Sequence, residues 1–127
     1  MRKPEVYVDR TGADKKPNPM RDVFQEFPLA MLEVSKVTAF GAGKHAPRGW
    51  QTFDPDYGFA YCTSKLGRHL LGEELDGPVN HADGELLHAG QVAWNALGRL
   101  EFLIRKRKAE AEGRSGRPKR KAGAVKK

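Results

Sequence analysis

Two carboxylates three residues apart, Glu73 and Asp76, are the side chains here best suited to chemistry. On a helix such residues share a face, so Glu73-x-x-Asp76 reads as a clamp for a hard cation, Mg²⁺ or Mn²⁺, held jointly with phosphate oxygens. At about 100° per residue, Glu73 lies about 20° from Leu66, inside the apolar stripe expected for its helix. A carboxylate there is costly unless it is paired or bound to metal. The alternative is that Glu73 escapes to solvent near the helix end, or pairs with Lys65 or Arg68. His69, one turn earlier, can orient the carboxylate, ligate the ion directly (which favours Mn²⁺), or serve as a structural group.

Other oxygen donors lie at a distance. Glu33 falls on the border of the preceding helix's buried face, but three residues on stands Lys36 rather than a second carboxylate. Asp83 or Glu85, after the break over residues 77–82, can supply a third oxygen. Lys44, His45 and Arg48 sit among glycines in the loop over residues 41–50, a cradle for phosphate or base. That loop could equally be a helix connection plugged by Trp50. Arg68 can offset charge on a leaving pyrophosphate. Asn95, seven residues after His88, reads either as a contact to base or ribose or as a polar link between helices. Other chemistries lack their residues. There is no Gly-x-Ser-x-Gly elbow, Walker loop, His-Asp dipeptide or Rossmann fingerprint, and Cys62 lies in an apolar stripe.

Helices must position these groups. The predicted fold is all-α, a small helical bundle with three main helices. Residues 1–26 form an extended arm, with Val6-Tyr7-Val8 as a short strand. Residues 27–111 form the helical domain, and residues 112–127 a disordered basic tail. Pro28 opens the first helix; Phe27, Ala30, Met31, Val34 and Val37 give it a stripe, and Gly41 and Gly43 end it. Asp56 caps the second helix, whose stripe is Phe59, Cys62, Leu66 and Leu70. Asp83 caps the third, starting near Gly84, which buries Ala89, Val92, Ala93, Ala96, Leu100 and Leu103.

Charge is unevenly spread. The net +7 resides in residues 105–127, with eleven Lys/Arg against two Glu, whereas residues 1–104 carry twelve basic and fourteen acidic groups. The body is mildly acidic, unlike a dedicated DNA-binding domain. One cysteine excludes an internal disulfide and a Cys-cluster zinc site. No apolar run is long enough to span a membrane, and no signal-peptide core is evident. The expected location is cytoplasmic, the host's cytoplasm if the gene is a phage's. So short a chain buries a modest core, so a homodimer or homotetramer is expected.

Four segments occur in a telling order: Phe-Gly-Ala-Gly-Lys-His-Ala-Pro-Arg-Gly-Trp over residues 40–50, then Gly67-Arg68-His69-Leu70, Gly72-Glu73-Glu74-Leu75-Asp76, and Ala93-Trp94-Asn95-Ala96-Leu97. Together they resemble the N-terminal domain of phage-associated dATP/dGTP diphosphohydrolases, from about residue 15 to residue 101. His45 replaces the family's Tyr, Gly49 its Asn and Gln91 a frequent His. Glu-x-x-Asp is also the second half of the carboxylate signature of MazG-like all-α pyrophosphohydrolases. The resemblance implies metal-dependent conversion of a purine dNTP, dGTP or dATP, to dNMP and pyrophosphate. Glu73, Asp76 and His69 would be catalytic. Glu33, Glu73, Asp76 and Asp83 would be the metal donors, and Lys44, His45, Arg48, Trp50, Arg68 and Asn95 would contact substrate. The rival expectation is a non-catalytic binding module, or a phage structural protein, whose tail over residues 105–127 makes weak, non-specific nucleic-acid contacts.

Overall fold

The Asp54 side chain accepts hydrogen bonds from the amides of Asp56 (3.1 Å) and Tyr57 (3.2 Å), and Pro55 takes the first helical position. Together they start the second helix two residues earlier than expected, because Asp54-Pro55 combines a capping acceptor with a preset φ. Asp56 lies inside the first turn. The computed structural model describes residues 15–114. Its main elements are α1 (Pro28–Lys44), α2 (Pro55–Asp76) and α3 (His88–Arg114), the all-α arrangement that the periodicity predicts.

Other boundaries shift for identifiable reasons. α1 continues through Gly41 and Gly43, since neither adopts the left-handed conformation that stops a helix. α3 starts at His88 rather than Gly84 because a small hairpin precedes it. β1 (Val79–Asn80) pairs antiparallel with β2 (Leu86–Leu87), Val79 opposite Leu87 and Asn80 opposite Leu86. A 3-10 turn, His81–Asp83, leads into Gly84 and Glu85, both left-handed at φ 65° and 64°. Strands of two residues leave no alternation to read. α3 also runs three residues past Ala111. The Val6–Val8 segment and residues 115–127 lie outside the described residues.

The chain divides into two compact units, Met1–Leu32 and Glu33–Lys127. In the first, Met20–Phe24 winds into a π-helical turn instead of running extended. Asp22 accepts from the Asn18 amide (2.8 Å) and pairs with Arg21 (2.6 Å). The Arg21 hydrogen bond chiefly lowers the Asp22 carboxyl to about 2.

The second unit is built on an antiparallel seam between α2 and α3. Phe102, fully buried, lies over Gly58; Cys62 faces Gly98, where a Cβ would come within 2.6 Å of its Sγ; the His88 ring covers Gly72. Close backbones admit only small residues at the crossing. The seam therefore selects Gly58, Cys62, His69 and Gly72 on α2 and His88, Gln91, Asn95, Gly98 and Phe102 on α3. This overturns the expected stripes, which are rotated from the seam by roughly a quarter turn on α2 and by more than about a third of a turn on α3. Cys62 is the one residue common to both readings of α2. Leu70 and Leu100 are half exposed and Ala89 and Ala96 are exposed, while His88, Gln91 and Asn95 are buried. α1 meets α3 through the Trp94 indole, which donates to Thr38 Oγ1 (2.8 Å), and through Glu33 beside Gly90.

Candidate active site

The loop between α1 and α2 is pinned from α3. Arg105 donates to Gln51 Oε1 (2.6 Å) and lies over the Trp50 ring (5.8 Å to the centroid). Trp50 meets Trp94 edge-on at 5.2 Å and Phe102 at 5.7 Å. Arg48 turns the chain at φ 59°, a left-handed conformation uncommon outside glycine. The loop so held closes over a cavity of about 490 Å³, within the range of small-ligand sites.

Its two ends differ in chemistry. At one end Trp50 meets Trp94 and Phe53 meets Tyr61 to supply aromatic walls, with Lys65 over the Tyr61 ring. At the other, Asp83 gathers polar groups: Lys44 Nζ (3.2 Å), Asn80 Nδ2 (3.2 Å) and Gln91 Nε2 (2.8 Å) all donate to its carboxylate. Burial pushes the Asp83 carboxyl up, but the Gln91 and Lys44 hydrogen bonds and the Lys44 charge outweigh it and hold it below the usual range. His69 lines the same end, its Nδ1 3.4 Å from Nδ1 of buried His88.

Lys44, His45, Arg48, Trp50, His69, Asp83 and Asn95 all line one cavity. Glu33, Arg68, Glu73 and Asp76 do not line it. Glu33 is taken up elsewhere, accepting from the Leu87 amide (3.2 Å) and pairing with Lys36 (3.5 Å). Lys36, which interrupts the expected carboxylate pair, is therefore the partner of the first carboxylate. Arg68 is exposed. Glu73 is half-buried and Asp76 exposed, one and two turns beyond His69 on the continuing α2 face. Among the described residues, no group of three or more His, Cys, Asp or Glu side chains is gathered for a metal ion. Thr38, Tyr61, Lys65, Gln91 and Trp94 also line the cavity, and the sequence reading names none of them as a site residue. Gln91 and Lys65, each four residues before a proposed site residue, carried a helical-spacing signal that could have found them.

His69 gives the site a pH signature. Burial chiefly, with repulsion from His88, Lys65 and Arg68, pushes its imidazole below the ordinary 6.5; Asp83 opposes this. The unfolded chain then takes up the proton first, so this contribution is present above about pH 6.5 and lost as pH falls below it. Thermal unfolding midpoints should decline between about pH 7.5 and 5.5. In His69→Gln the decline over that window should be shallower; an unchanged slope would place the titration elsewhere.

The described residues form an all-α domain whose cavity is lined by aromatic and polar side chains. More narrowly, this chain belongs to the family "dATP/dGTP diphosphohydrolase, N-terminal", whose sequence profile matches residues 9–112. No curated protein and no solved structure matches it.

Proposed function

We propose that the chain is a metal-dependent nucleotide pyrophosphohydrolase that converts a purine dNTP, dGTP or dATP, to dNMP and pyrophosphate. The observation that carries this reading, beside the family name, is the cavity itself: aromatic walls at one end, and Lys44, Asp83 and His69 at the other, with Glu73 one helical turn further on. A purine suits the first end and phosphates the second.

The residues support a two-carboxylate cation site. Glu73 and Asp76 share a face of α2, whereas the Glu33 and Asp83 carboxylates are engaged by neighbours. Mg²⁺ is commonly held by one or two carboxylates with substrate phosphates completing its shell. Once bound, the ion neutralises phosphate charge and makes a bound water more acidic. The chain's own groups do the rest. Lys44 exchanges Asp83 for a phosphate oxygen, Arg48 and His45 screen the polyphosphate at the mouth, and His69 accepts a hydrogen bond from the attacking water. Exposed Leu71, Leu75, Leu97 and Ile104 support a homodimer or homotetramer that covers them.

A panel of nucleotides with Mg²⁺ and with Mn²⁺ tests the reading. Pyrophosphate and dNMP are the expected products from dGTP or dATP. Tripolyphosphate would assign a different bond cleavage, and no turnover in either metal would favour the binding-module reading.

A further inference from the structure

Asn95 carries an unmet hydrogen bond. It is only 4% exposed, and its Nδ2 donates to the Gln91 carbonyl (2.8 Å). Its Oδ1 is buried and has no partner among the described residues. A buried acceptor left unpaired is destabilising, and in native structures it usually marks a missing partner. Because Nδ2 is committed to a carbonyl, exchanging the amide's N and O would only set two acceptors against each other.

The surroundings say what the partner should be. Asn95 lines the cavity one helical turn after Gln91 and next in sequence to Trp94, and shares that cavity with Trp50, Phe53 and Tyr61. An acceptor repels phosphate oxygens, which rules out a phosphate at this atom. It pairs with N–H, and the flat aromatic walls suit a planar ring. We infer that Asn95 Oδ1 is the base-reading atom of the cavity, accepting from the amino or imino N–H edge of a purine whose phosphates lie toward Lys44. This rests on the nucleotide reading above and adds the orientation of the base and its selecting residue. The atom is closed to bulk water, so the bound base must displace part of the wall.

The chain contains two tryptophans, and both line this cavity, so intrinsic fluorescence reports occupancy directly. The test titrates the full chain with dGMP, dAMP and the 2′-deoxynucleoside monophosphate of unsubstituted purine, which has no amino group and no N1–H. Wild type should bind dGMP or dAMP about tenfold or more tighter than the unsubstituted purine, since an unpaired buried acceptor penalises the analogue. In Asn95→Leu that ratio should collapse toward one, with helical circular dichroism retained. Equal wild-type affinity for all three overturns the inference, and this arm needs no variant to fold. A folded Asn95→Leu protein that keeps the preference also overturns it. If dGTP is hydrolysed to pyrophosphate but discrimination is absent, only the role of Asn95 fails. If N–H-dependent binding occurs without hydrolysis, the enzymatic reading fails and the base site stands.

Discussion

Glu73→Gln and Asp76→Asn should each lower metal-dependent dNTP hydrolysis at least about 100-fold while leaving the helical circular dichroism intact. Both substitutions preserve shape and remove the negative charge that a hard cation requires. Glu73 is half-buried and Asp76 exposed, so neither amide strands a charge inside the fold. Position strengthens the expectation. Glu73 follows His69 by one turn, about 6 Å along the axis, which is within reach of a polyphosphate whose base occupies the aromatic end. A deficit relieved by raising Mn²⁺ would identify the loss as one of metal affinity. Normal turnover in both variants would dismiss the clamp, and attention would pass to Asp83, the carboxylate that does line the cavity.

The candidate site was more legible in the sequence than the packing beneath it. Lys44, His45, Arg48 and Trp50 fall within seven residues at the end of α1 and in the loop after it, so the short segment itself brings them together. His69, Asp83 and Asn95 reached the same cavity because each was a polar residue on or near a helix face. The seam was misread because periodicity weighs leucines and ignores glycines. Leu70 and Leu100 fit the apolar stripes and are exposed, whereas Gly58, Gly72 and Gly98 belong to no apolar stripe and are contact points. Backbone proximity selects for the absence of a side chain, and a hydrophobicity pattern cannot register an absence. The hairpin escaped for a related reason, since its fold rests on two left-handed residues and not on alternation. Asp83 was assigned as a helix cap because it stood in the right register. Its side chain is instead held by Asn80 and Gln91, on either side of it in the sequence, and by Lys44, 39 residues away.

Gly58→Ala should destabilise the fold by about 1–2 kcal/mol, although alanine is the better helix former. A Cβ there would drive into the ring of Phe102, which is 0% exposed and has no open space to rotate into. Propensity favours alanine by roughly 1 kcal/mol, and overpacking a tight core typically costs about 1–3 kcal/mol and occasionally more. With three Phe102 ring atoms within 2.6 Å of the Cβ, the clash should win. Gly67 is the internal control on the same helix, because nothing lies within 4 Å of its Cβ position. Gly67→Ala should therefore stabilise by up to about 1 kcal/mol. Opposite signs for two glycines nine residues apart, measured by urea unfolding, would locate the seam without reference to activity. Adding Phe102→Leu to Gly58→Ala should recover part of the loss, since a smaller side chain relieves the same contact and the two effects must then be non-additive. Two stabilising alanines would mean that α2 does not approach α3 at Gly58, and the cavity wall built on that approach would have to be reassigned.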